Sequence, residues 1–144
     1  MRILLDTSVL VAAIVEAHPA HERALPWLQR IRSSSDAGLI SAHSLAEVYA
    51  TLTTLPLRPR LSPETALRLI RDNILSAFEV VPLSDDDYVA VINHLAGLGV
   101  TGGAIYDALI MHAAAKSSAD QVVTLNDRDF RRVCPALADR ITVP

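Results

Sequence analysis

Apolar and polar positions fall in short blocks along this chain, and the period changes from block to block. Ile3-Leu4-Leu5 is an unbroken apolar run that stops at Asp6, so Arg2–Asp6 reads as a short buried strand. Ser8–Ala17 reads as a helix. His18–Arg32 reads as a second, with Pro19 near its start and Pro26 as a kink. Ser33–Gly38 is a polar loop, Leu39-Ile40-Ser41 a brief strand, and Ser44–Leu55 a helix that stops before Pro56. In Ser62-Pro63-Glu64 a capping hydroxyl, a first-turn proline and an acid favoured by the helix dipole open a helix to about Ser76. Phe78–Leu83 is the next strand. Ser84 to Asp87 opens a helix ending near Gly97 and Gly99, and Gly103–Lys116 is another. Gln121–Leu125 is predicted as a strand, Phe130 begins a short helical turn, and Ile141-Thr142-Val143 forms a last edge strand. Strands alternating with helices specify an α/β fold with a mainly parallel sheet, and such sheets bind ligands at the carboxyl ends of their strands.

Composition narrows the class. At 144 residues, 51% of them hydrophobic, the chain suits one domain spanning 1–144 with a substantial core. The Leu55-Pro56-Leu57-Arg58-Pro59-Arg60 stretch is a connection inside it. No apolar segment reaches the ~18 uncharged residues of a membrane span. Asp6 interrupts the apolar core that a signal peptide would need, so the expected location is the cytoplasm. Cys134 is the only cysteine, which excludes an internal disulfide and any Cys–His zinc spacing. The net charge of −3 does not advertise nucleic-acid binding.

The carboxylates in apolar company change the picture. Asp6 closes the first strand and faces either a cap role for the next helix or something cationic. Glu47 lies beside the apolar line Leu45, Val48 and Leu52, where it pairs with His43 one turn back or points into a site. Asp107 sits in Gly103–Ala115, a helix apolar nearly all round, where an isolated carboxylate is neutralised, paired or metal-bound. Thr124-Leu125-Asn126-Asp127-Arg128-Asp129-Phe130 follows the strand that contains Val122-Val123, and reads alone as a polar turn. Taken together, these acids gather towards one sheet edge. Their repulsion is relieved by a cation, and an all-oxygen set suits Mg²⁺ or Mn²⁺.

Asp6-Thr7-Ser8-Val9-Leu10, Ser44-Leu45-Ala46-Glu47-Val48, Tyr106-Asp107-Ala108-Leu109-Ile110 and Val123 through Phe130, in that order, resemble the PIN-domain family. More narrowly, they resemble its VapC-type ribonuclease toxins. The resemblance implies a PIN-like three-layer α/β/α sandwich and a Mg²⁺- or Mn²⁺-dependent endoribonuclease. It places acidic metal ligands at Asp6, Glu47 and Asp107, and site-shaping hydroxyls at Thr7, Ser8 and Thr124. The family's fourth acidic position falls on Asn126 counted from Thr124 and on Asp127 counted back from Phe130, with Asn126 the better match. Arg128, Arg131 and Arg132 are either RNA-backbone contacts or an ordinary solvated turn. The resemblance also implies an RNA substrate, a cognate antitoxin protein and a homodimer. Trp27, Leu28 and Ile31 offer an apolar surface for the antitoxin, with Trp27 alternatively in the core.

Two other classes begin with a similar strand end. Asp-based phosphatases want a second Asp where Ser8 stands. Phosphoryl receivers want a lysine at a late strand end, whereas Lys116 closes a helix. An inactive binding module of the same fold would have no need of the acids.

Overall fold

The computed structural model describes residues 1–144. Strands β1 (Arg2–Leu5), β2 (Ala37–Ser41), β3 (Phe78–Val81), β4 (Gln121–Val123) and β5 (Ile141–Thr142) form one five-stranded sheet in the order β3-β2-β1-β4-β5. Every neighbouring pair is parallel. The helices are α1 (Thr7–Ile14), α2 (His21–Ser33), α3 (Ala42–Thr54), α4 (Pro63–Ile70), α5 (Asp85–Leu98), α6 (Ala104–Lys116) and α7 (Asp127–Val133).

Successive strand side chains point to opposite faces, and both faces here are apolar. Ile3, Leu5, Ile40 and Val123 join one core with α1 to α4. Leu4, Leu39 and Val122 join the other with α5 to α7. This is the expected three-layer α/β/α sandwich. No helix is long and apolar enough to cross a membrane.

Several boundaries differ from the pattern-based reading. α1 ends at Ile14, with extended backbone at Val15. α2 starts at His21, because Pro19 lies in a turn closed by the Ala20 amide donating to His18 Nδ1 at 3.0 Å. Pro26 lies within α2, which continues through it. The helix from Pro63 is regular only to Ile70 and widens into a π turn over Arg71–Leu75. Phe130 does not begin a turn. It lies inside α7, fully buried, and the Asn126 carbonyl accepts from the Asp129 and Phe130 amides. Asp127 and Asp129 in the first turn favour a helix start there. Leu28 and Ile31 are also corrected: both are buried core residues, closed to a partner. Trp27 is half-buried against the same core, with the Arg30 guanidinium 5.6 Å from its ring centroid.

Gly38 is required by close packing. A Cβ there would meet Ile31 Cγ2 at 2.4 Å and Phe78 Cδ1 at 2.9 Å. Gly38→Ala is therefore expected to cost about 1–3 kcal/mol through overpacking, read as a lower urea midpoint at unchanged slope.

The topology brings chemistry to one edge. In a parallel sheet all strands end on the same side. α1, α3 and α7 start at that side because each follows a strand directly or after a short loop. α6 precedes β4 and runs antiparallel to it, so it too starts at the carboxyl edge. The Arg2 side chain donates to the Ser117 carbonyl at the far end of α6, at 2.9 Å. The first turn of α6, with Asp107, therefore reaches the carboxyl edge.

Candidate active site

Asp6 joins β1 to α1 with no intervening loop. Its carbonyl accepts the Val9 and Leu10 amides, so the backbone takes the cap position, yet its side chain makes no cap hydrogen bond. Instead Oδ2 accepts from Ser8 Oγ at 2.6 Å and Thr124 Oγ1 at 2.8 Å. Those hydroxyls accept in turn from the Leu125 amide at 3.1 Å and the Asn126 amide at 3.0 Å. Two relays thus run from peptide N–H through hydroxyl to carboxylate, and neither hydroxyl reaches Oδ1. Asp6 is only 4% exposed. Burial pushes its pKa up, and the Ser8 and Thr124 hydrogen bonds partly oppose this.

Glu47 projects from α3 on the stripe His43, Glu47, Thr51, Leu55. The expected partner His43 is present but distant, with Nε2 3.7 Å from Oε1, beyond hydrogen-bond length. Glu47 Oε1 and Thr7 Oγ1 are both buried without a hydrogen-bond partner. Burial, then the charge of Asp6, raises the pKa of Glu47. Thr7 and Glu47 both line one cleft, where the Thr7 hydroxyl partly opposes the rise at Glu47 and a polar ligand or ion would complete their hydrogen bonding.

Asp107 occupies the first turn of α6, whose following residues Ala108 to Met111 are buried. The carboxyl itself is half-buried. Its pKa is pushed up to about 6, first by burial and then by the charges of Asp6, Asp129 and Glu47, with Arg132 opposing. One cleft is lined by Asp6, Thr7, Ser8, Glu47, Asp107 and Asn126, together with His18, Val11, Thr51 and Leu55. Of the two readings of the fourth position, Asn126 lines this cleft. Asp127 does not, and pairs with Arg131 at 3.5 Å.

The arginines divide. Arg131 donates to the Ala138 carbonyl at 2.7 Å and the Ile141 carbonyl at 3.3 Å, so it is tied to the chain and does not serve as a free RNA contact. Arg128 and Arg132 line the adjoining hollow with Asn126 and Asp129. Two residues of this region escape a reading of the sequence. Asp129 acts on Asp107 through its charge, and its signal is its place on the first turn of the short helix after Asn126. His18 enters the cleft from the α1–α2 turn with Nδ1 occupied by the Ala20 amide. A lone His-Pro pair carried no signal.

No three His, Cys, Asp or Glu side chains form a ready-made metal cage. The acids share a cleft more loosely than three ligands meeting on one ion. Mg²⁺ keeps several waters and asks for only one or two direct carboxylates. An all-oxygen set containing Asp6 Oδ1, left free by the two hydroxyls on Oδ2, half-buried Asp107 and the orphaned Glu47 Oε1 fits such an ion.

Comparison with known proteins gives concordant findings. The PIN domain profile matches residues 3–135. Ribonuclease VapC27 of Mycobacterium tuberculosis (strain ATCC 25618 / H37Rv) is 34% identical over 126 residues, covering 88% of this chain and 83% of the relative. Ribonuclease VapC40 of the same species (strain CDC 1551 / Oshkosh) is 37% identical over 128 residues, covering 89% and 87%. Among solved structures, VapBC2 from Rickettsia felis, bound to a promoter DNA fragment, superposes with a TM-score of 0.65. It is 22% identical, covering 100% of this chain and 98% of that one. The sarcin-ricin loop cleaving toxin VapC20 of Mycobacterium tuberculosis superposes with a TM-score of 0.66, at 18% identity and 83% and 86% coverage. These two likenesses speak for the fold.

Proposed function

The chain belongs to the PIN domain family, and from that premise we propose that it is a Mg²⁺-dependent endoribonuclease, the toxin of a toxin–antitoxin pair. The observation that carries this reading is the shared cleft of Asp6, Glu47 and Asp107, whose charges oppose one another's ionisation. Such a cluster is costly without a counter-charge.

Asp6 and Asp107 would hold Mg²⁺ (or Mn²⁺), with Glu47 as ligand or water-orienting group and Asn126 beside a second ion, supplying a water of lowered pKa and positive charge against the phosphate. Ser8 and Thr124 hold Asp6 Oδ2 in place. Thr7 and Glu47 present unpaired oxygens to the attacking water. The N-termini of α1, α3 and α6 point their partial positive charges at this edge. Arg128 and Arg132 take the RNA backbone. Attack of water in line on phosphorus breaks the bond to the 3′ oxygen, leaving a 3′-hydroxyl and a 5′-phosphate.

The named relatives support an antitoxin as partner, whose basic side chain would enter the acidic cleft in place of the cation. Exposed Val89 and Ile92, one turn apart on α5, support a homodimer. The phosphotransfer reading finds no support: Ser8 stands where a second Asp is wanted. Lys116 lies about 13 Å along α6 from Asp107 and is bound to Asp87 at 2.6 Å.

The test is RNA cleavage by the purified chain with Mg²⁺ and with EDTA, with the new 5′ ends sequenced and Asp6→Ala as control. Cleavage that needs Mg²⁺ and Asp6, leaving 5′-phosphates, is the expected result. Intact RNA under all conditions would remove the nuclease assignment.

A further inference from the structure

Directly outside the two acids, the rings of His43 and Tyr106 lie with centroids 5.3 Å apart and planes 1° from parallel. His43 stands one turn before Glu47 on α3, and Tyr106 immediately precedes Asp107 on α6. The pair therefore joins the two helices next to the cleft without lining it, with His43 Nε2 3.7 Å from Glu47 Oε1. Tyr106 is 49% exposed, and its hydroxyl makes no hydrogen bond. His43 covers one side of the ring and leaves the rest to solvent.

We propose that Tyr106, backed by His43, is the platform on which an unpaired RNA base stacks beside the cleaved phosphodiester. The proposal rests on the nuclease reading and adds a substrate requirement to it. A base inside a duplex is already stacked on both faces. Only a single strand, loop or bulge can lay one on Tyr106. The ring is held by its neighbour before the RNA arrives, so little side-chain freedom is lost on stacking. The strand's onward path is also visible. The stripe His43, Glu47, Thr51, Leu55 runs about 18 Å along α3 and leads into the loop Pro56–Arg60. There Arg58 and Arg60 are exposed and enter no salt bridge. A base at one end, the reacting phosphate in the middle and free guanidiniums at the other end describe a track for a few nucleotides of single strand.

The experiment uses single-stranded oligoribonucleotides carrying one 2-aminopurine, whose fluorescence falls when it stacks, with the Asp107→Asn chain in Mg²⁺ so that the probe survives. Quenching is expected at one probe position. Adding Tyr106→Leu should remove it and weaken binding about tenfold, whereas Tyr106→Trp should keep both. In the otherwise unaltered chain, Tyr106→Leu should raise KM about tenfold on looped RNA and leave kcat within about twofold. A folded Tyr106→Leu chain that quenches and binds as before would overturn the platform. So would a Trp variant that loses as much as Leu, or a probe that no variant binds. RNA cut normally by Tyr106→Leu would sink the platform alone. Stacking by a chain that never cuts RNA would sink the nuclease reading alone.

Discussion

Asp107→Asn should slow RNA cleavage by at least about a thousandfold while leaving the metal-free chain as stable as before or more so. The two effects have one origin. The carboxyl is half-buried and faces the charges of Asp6, Asp129 and Glu47, which push its pKa up to about 6. The side chain is needed for chemistry and is a burden on the fold. The amide keeps the shape, removes the charge and forfeits the oxygen that a cation and a reacting phosphate need. The pH dependence follows from the raised value. Between about 4 and about 6 the folded chain holds a proton at Asp107 that the unfolded chain has released, so stability falls as pH rises through that window and then levels. Because the group is partly exposed, solvent screening limits its share to about 1 kcal/mol. Chemical denaturation of the metal-free chain at pH 4.5 and 7.5 should show this loss, and the Asn variant should show less of it. Mg²⁺ at pH 7.5 should raise the midpoint of the wild type but not of the variant. A variant that cuts RNA at the wild-type rate would remove Asp107 from the site.

Thr124→Val should lower kcat by roughly ten- to a hundredfold and cost about 1–3 kcal/mol of stability. The substitution preserves the shape of a fully buried side chain and deletes one oxygen. That oxygen donates to Asp6 Oδ2 at 2.8 Å and accepts the Asn126 amide at 3.0 Å. Its loss leaves a buried carboxylate with one hydroxyl donor instead of two, and frees the turn that carries Asn126. Thr124→Ser, which keeps the hydroxyl, should recover most of the activity. Paired kcat measurements and melting curves on the two variants separate the hydroxyl from the methyl. A Val variant with unchanged kcat would mean that Asp6 is oriented by Ser8 alone.

The readable part of this protein is that which depends on neighbours in the chain. Ile3-Leu4-Leu5 and Val122-Val123 announced buried strands, and Ser62-Pro63 and Gly99 announced helix ends, because propensity and capping act over a few residues. The start of α7 is not legible because Phe130, the strongest apolar signal there, lies in the middle of a short helix of which only Phe130 and Val133 are buried. The acids Asp127 and Asp129 at its start looked like loop.

The site divides along the same line. Asp6 and Asp107 stood out because a carboxylate in apolar company must have a reason to be there, and that reason is legible locally. That Ser8 and Thr124, 116 positions apart, both bond to one oxygen of Asp6 was settled only by the fold. Asn126, with non-helical backbone at the cap of α7, lines the cleft while Asp127 on the first turn pairs with Arg131, a divergence that no motif count resolves. Asp129 loads Asp107 with charge, and Arg131 spends its guanidinium on the carbonyls of Ala138 and Ile141. The amino-acid order by itself determined the alternation of strands and helices and the presence of stranded acids. The three-dimensional packing decided which of them repel one another, since charge interaction depends on distance through space and not along the chain.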